Sequence, residues 1–425
     1  MTSTPLTPVP VTDALVRGAA ELETTDHGVR VHRLPAWARA QCADPQLAMV
    51  EAQPSGVRVA FRTRATAVEI DLLRSRTTYT RVPPRPEGIV ELCVDGQVVG
   101  QSTTSGGTTV TIDMATGTPS VETGPAHTAR FDGLTPGDKT VEIWLPHNEQ
   151  VEIVDLRTDA PVSPAPQDRP VWMHHGSSIS HGSNATHPTA TWPAVAARLA
   201  GVELVNLGFG GSSLLDPFMA RTIRDTPADL VSVKLGINVV NADLMRLRAF
   251  GPAVHGFLDT IREGHPTTPL LVVSPVWCEI HEDTPGPGAF DLEALAEGRL
   301  AFRATGDPAE VAAGKLTLTV IRAELERIVR ERQATDPNLT YLDGRELYSA
   351  DDAVDHPMLD NLHPDAATHQ TMGERFAETV FRQSHDHDAV RHGLDLGAHE
   401  RWFDKARGDA GRLRVEDLDD APDAR

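Results

Sequence analysis

Two patterns of apolar and polar positions divide the chain. From residue 13 to about 157 the runs are short and alternate with a period of two, the signature of half-buried strands. Residues 56–74, GVRVAFRTRATAVEIDLLR, alternate over two runs. Residues 88–104, GIVELCVDGQVVGQSTT, place Asp95-Gly96 between two runs, a hairpin signal. TVTIDM, a Pro-Gly turn before TVEIWLP, and VEIVDLRTD continue the series. Helical periodicity is scarce here. Many short strands separated by Gly and Pro turns predict an all-β sandwich of the jelly-roll kind over 13–157.

After residue 170 the strands become apolar on both faces and alternate with helical segments. VWMHHG, VELVNLGFG, ADLVSVK, PLLVVSPVW and LTYLDG are five such strands. Between them lie ATWPAVAARLAG, a helix closed by Gly201, a helix over about 246–263, TLTVIRAELERIVRERQ, and the final TMGERFAETVFRQ. This order predicts a three-layer α/β/α sandwich over 171–385, with a five-stranded parallel, flavodoxin-like sheet. The proline-rich stretch 158–170 reads as a linker, and residues 1–12 as disordered. Residues 283–315 interrupt the α/β alternation as an insertion, either a functional lid or surface decoration. Residues 386–425 read as a charged, largely flexible tail with a short helix near Trp402.

Composition narrows the function. The 425 residues carry a formal charge of -21, which argues against nucleic acid and anionic membrane as partners. No run approaches the ~18 apolar residues of a membrane helix, and the first residues lack the basic and apolar regions of a secretory leader. Three scattered cysteines, Cys42, Cys93 and Cys278, fit neither a disulfide framework nor a cysteine zinc site. The expectation is a cytoplasmic protein.

In an open parallel sheet the ligand lies beyond the carboxyl ends of the strands. Four strand or loop ends there carry candidate chemistry. Ser178, in GSSISHG after the first strand, is a nucleophile if a base takes its proton, and otherwise a helix cap. Asp360 and His363, in DNLHPD, can point to one side, the carboxylate holding the ring; the alternative is a polar loop before a helix. Asn238, in LGIN, could donate its amide to an oxyanion or be a turn residue. Gly211, ending FGG, could donate its N–H or be a flexible turn. Their order and shared rim suggest an acyl-transfer site.

These blocks resemble the SGNH (GDSL-like) hydrolase superfamily over about residues 170–385. Gly176-Ser177-Ser178-Ile179 is similar to its first block, Asn206-Leu207-Gly208-Phe209-Gly210-Gly211 to its second, Gly236-Ile237-Asn238 to its third and Asp360-Asn361-Leu362-His363 to its last. The resemblance implies a Ser178–His363–Asp360 triad and an oxyanion hole formed by Ser178, Gly211 and Asn238. Ser177 stands where Asp is commonest, and Val239 where Asp often follows the Asn. With the amino-terminal β region, these departures resemble a two-domain branch that includes sugar acetyl esterases and an antibiotic-pathway acyltransferase.

The implied function is hydrolysis of a carboxylic ester, acetyl or another short acyl on a sugar or small metabolite, through an acyl-enzyme and without a cofactor. Acyl transfer by the same groups is one alternative, and a carbohydrate-binding protein with a degenerate site is another. His181, Trp277 and Glu279 are candidate substrate contacts. Core packing for the tryptophan, as for Trp192, and a Glu279–His281 loop pair are the competing readings. His174, His175, His181 and His187 cluster, but no ligand set with metal spacing can be named, so no metal is expected.

Overall fold

The computed structural model describes residues 5–381. The reading of residues 386–425 as a tail lies outside them. The amino-terminal region is mainly β, an eight-stranded sheet and a six-stranded sheet, with two short helices, Ala36–Arg39 and Pro45–Glu51. Ala67–Tyr79 and Gln150–Thr158 lead the first, and Arg58–Thr63, Lys139–Trp144 and Ile89–Val94 the second. The inward residues of both, among them Val68, Ile70, Leu72, Phe61, Leu92 and Ile143, form one buried core. The hairpin at Asp95-Gly96 closes with both residues at positive φ, 48° and 80°, as a two-residue turn requires.

Two expectations for this region are corrected. Within residues 1–12, Thr7–Pro8 pairs with Arg157 and Thr158, because the long strand Gln150–Thr158 offers it an open edge. Within 158–170, Val162–Pro164 pairs with Arg58–Thr63, so the proline-rich stretch is laid along the sandwich rather than spanning free space. Proline is compatible with such an edge position.

The carboxyl-terminal domain is a five-stranded parallel sheet with helices on both faces. Its strands are β1 (Val171–Gly176), β2 (Glu203–Gly208), β3 (Leu230–Lys234), β4 (Leu270–Val273) and β5 (Leu339–Leu342). Their order is β2-β1-β3-β4-β5, so the chain reverses direction of winding between β1 and β3. A crevice at the carboxyl ends of those two strands is where such a sheet binds its ligand. One layer buries Phe250, Val254, Leu258 and Ile321; the other buries Trp172, Trp192 and Phe376, with the Trp172 and Phe376 rings stacked at 4.9 Å. Among the described residues no helix is long and apolar enough to cross a membrane.

The two regions are joined by buried polar contacts. β2 is the sheet's edge strand. The Arg33 guanidinium donates to the carbonyls of Asn206 (3.0 Å) and Gly208 (2.7 Å) on β2, and to that of Val50 (2.6 Å). It also lies 4.5 Å from the Phe209 ring centre. Burial pulls its pKa down to about 9, opposed by Glu51, so it remains a cation at neutral pH. Ser55 donates to the His181 carbonyl (2.6 Å), and the Asn206 amide donates to Ser55 Oγ and the Ser180 carbonyl, both at 2.9 Å.

Candidate active site

Ser178 opens the short helix Ser178–His181, directly beyond β1. Gly176 makes that turn possible: a Cβ there would lie 2.3 Å from Ser180 Oγ. His174 below it bridges Ser232 Oγ (2.7 Å) and Ser180 Oγ (2.8 Å), so the helix rests on a fixed polar strut. Gly236, at φ 124°, begins the turn into Ile237–Asn241; a side chain there would meet Ile321 at 2.7 Å. The turn delivers Asn238, whose Oδ1 accepts from the Ser213 N–H at 3.1 Å. That bond fixes the amide, leaving its NH2 group at the opposite end.

Asp360 and His363 share a tight turn before the helix Ala366–Phe376. Asp360 Oδ1 accepts from the backbone N–H groups of Leu362 (3.0 Å) and His363 (2.7 Å). Its Oδ2 lies 2.8 Å from His363 Nδ1 and accepts from Asn184 Nδ2 at 3.3 Å. His363 Nε2 lies 2.9 Å from Ser178 Oγ. The three side chains therefore form one continuous hydrogen-bonded chain. Burial works to raise the Asp360 pKa, but the hydrogen bonds from His363 and the charge they favour outweigh it and hold the carboxylate at about 2. Its ordinary value is 3.8. Its charge thus contributes stability above about pH 4 that is lost as pH falls through about 2.

The insertion clasps this turn. Gly288–Phe290 and Phe302–Ala304 pair as a two-stranded ribbon. The Phe302 N–H donates to the Asp360 carbonyl (2.9 Å), and Asn361 Nδ2 donates to the Phe302 carbonyl (3.1 Å). The Phe302 ring meets the His363 imidazole edge-on, centres 5.7 Å apart.

Ser178, His363, Asn238, Gly211 and His181 all line one cavity of about 520 Å³, a volume suited to a small ligand. Gly211 is exposed there at φ 76°. His181 forms part of the wall, its Nε2 bonded to the His147 carbonyl at 2.7 Å; burial holds its pKa well below the usual histidine range. Trp277 and Glu279 are corrected: neither lines the cavity. They follow β4, one strand beyond the point where the sheet reverses. Trp277 packs half-buried against the layer holding Trp172, and Glu279 is exposed. His281 is buried against Asn241 Oδ1 at 3.2 Å. Among the described residues no group of three or more His, Cys, Asp and Glu side chains is placed to hold a metal ion.

Sequence reasoning missed the walls. Gln46, Met49 and Val50 come from a seven-residue helix, Pro45–Glu51, in a region read as strands only. Asp44-Pro45, a capping residue followed by proline at the first helical position, was the available signal. Gln46 Nε2 donates to the Gly210 carbonyl at 2.9 Å, bracing the glycine loop. Tyr79, Arg85 and Asn148 of the β region, and Phe290 and Phe302 of the insertion, complete the walls and carried no local signature.

Below the glycine loop, Asp216 precedes the helix Pro217–Asp225 without making a side-chain capping bond. Burial, with Asp44 as a like-charged neighbour, raises its pKa from 3.8 to about 6. The neutral form is favoured in the fold, so stability is full below about pH 4 and is lost as pH rises through about 6. Asp216→Asn should therefore raise the denaturation midpoint at pH 7 and flatten its pH dependence between 4 and 6. Denaturant titrations at both ends of that window check this.

Residues 175–371 match the GDSL-like lipase/acylhydrolase family, and the chain is an SGNH-type hydrolase. Residues 15–154 match the SsfX3 N-terminal domain. Over both regions the chain is similar to the salicylyl-acyltransferase SsfX3 from a tetracycline biosynthetic pathway, at 27% identity and a TM-score of 0.71, covering 87% of this chain and 95% of that one. A Bacteroides ovatus protein described as a GDSL-like lipase (18% identity, TM-score 0.61, 88% and 96% covered) shares the fold. So does a family two carbohydrate esterase from Clostridium thermocellum (14% identity, TM-score 0.53, 86% and 98% covered). A search of curated proteins finds no match.

Proposed function

We propose that this protein is a serine esterase acting on small carboxylic esters through an acyl-enzyme. The observation that carries the reading is the unbroken relay from Asp360 through His363 to Ser178, opening into the cavity. Ser178 Oγ attacks the ester carbonyl while His363 Nε2 takes its proton; Asp360 keeps the ring in the required tautomer and stabilises the imidazolium. The N–H groups of Ser178 and Gly211 and the Asn238 amide receive the oxyanion. His363 returns the proton to the leaving alcohol, and water attacks the acyl-enzyme by the reverse path. The cavity volume favours an acetyl or other short acyl group on a sugar or small metabolite.

Asn238→Ala tests the oxyanion role. It should lower kcat on p-nitrophenyl acetate by about 100–1,000-fold with KM little changed, since the amide acts chiefly on the charged intermediate. A loss confined to KM would assign Asn238 to ground-state binding instead.

Transfer of the acyl group to a second alcohol is the alternative, favoured by the two-domain likeness to SsfX3. Product analysis with alcohol acceptors present separates the two: free acid marks hydrolysis, and a new ester marks transfer.

A further inference from the structure

The cavity holds one feature that ester hydrolysis alone does not use. Two arginines line it, Arg76 and Arg85, both from the amino-terminal β region. Arg76 is paired with Glu87 at 2.6 Å. The lining carboxylate Glu149 is committed as well, with one oxygen on Arg74 and the other on Thr104, each at 2.7 Å. Arg85 differs. Its guanidinium makes a single long contact, 3.4 Å to the neutral Ser183 hydroxyl, and no carboxylate among the described residues lies within ion-pair distance. The carboxylate whose field it feels is Asp360, already engaged by His363.

Its backbone, by contrast, is held. Arg85 sits in Val82-Pro83-Pro84-Arg85-Pro86, where three prolines restrict the chain. Its carbonyl accepts from Arg76 Nη2 at 2.6 Å, and the next carbonyl, Pro86, accepts from Asn148 Nδ2 at 3.1 Å. The loop thus presents an exposed cation with no ion-pair partner among the described residues to the cavity that Ser178 also lines, in a protein of net charge -21.

We propose that Arg85 recognises a carboxylate on the substrate, so that the ester taken by this site is anionic next to its scissile bond. This deepens the esterase reading and rests on it. A guanidinium offers a carboxylate two parallel N–H donors, a stronger contact than it gives a neutral hydroxyl. The carboxylate can belong to the acyl part or to the alcohol part, and matched pairs of esters distinguish them. 4-Acetoxybenzoate against 4-acetoxybenzamide places the charge on the alcohol side. Monophenyl glutarate against its terminal amide places it on the acyl side.

In wild type, at least one acid should exceed its amide in kcat/KM by roughly tenfold or more, the size of one charge-assisted contact. Arg85→Gln should bring that ratio close to one, and Arg85→Lys should retain part of it. The product acid of the favoured pair should also inhibit wild type more strongly than the product amide, a measurement that needs no variant. Ratios near one in both pairs, with the amides turned over, overturn the proposal and leave the esterase reading standing. A preference that persists in folded Arg85→Gln also overturns it. Inert amides and acids together overturn both.

Discussion

Ser178→Ala should lose turnover of p-nitrophenyl acetate by about 10,000-fold or more while the protein keeps its thermal midpoint. The hydroxyl is the group in the relay whose proton His363 is placed to take, and nucleophile loss in comparable triads leaves only the residual rate supplied by binding and the oxyanion donors. The change removes one oxygen from a half-buried side chain whose hydroxyl bonds to His363 and supports no core packing. His363 keeps its bond to Asp360, so the turn around it persists. Rates and melting curves on the same preparation separate a lost nucleophile from a lost fold.

Arg33→Met should have the largest effect on stability, about 3–5 kcal/mol by denaturant titration. The methionine fills much of the same volume against Phe209. It removes a donor from the buried carbonyls of Val50, Asn206 and Gly208; Val50 keeps the N–H groups of Ala52 and Gln53, and the other two lose their donor. Those two lie on the edge of β2, where no further strand can satisfy them. The strand runs on into the Gly210-Gly211 loop, so catalysis should weaken as well. A variant as stable as wild type would mean that water or a local shift satisfies those carbonyls, and that the β region is not held to the sheet edge by this residue.

What was legible in the sequence follows from how local each signal is. The five parallel strands were readable because burial on both faces leaves runs such as LVSV and LLVV that only a covered sheet accommodates. The relay residues were readable because each sits at a fixed offset from a strand end or turn. One flanking departure also fits: Val239 is buried in the core, where an aspartate would need a partner. The walls were not readable. Phe302 matters because a ribbon from the insertion folds back onto the Asp360 turn, and Arg85 because the β region packs against the sheet edge. Both depend on contacts far apart along the chain, which periodicity does not encode. Trp277 and Glu279 were misplaced for a related reason. A position after a strand end faces the cavity only beside the reversal in winding; β4 lies past it, and the chain after Ser274-Pro275 packs Val276 and Trp277 into the other layer.

The central claim is tested most directly by trapping the acyl-enzyme. Wild type mixed with p-nitrophenyl acetate and quenched in acid during turnover should gain one acetyl group, mapped by peptide mass spectrometry to Ser178. Turnover with the acetyl group on another residue, or steady hydrolysis in which Ser178 is never acylated and its alanine variant is unimpaired, would contradict the account.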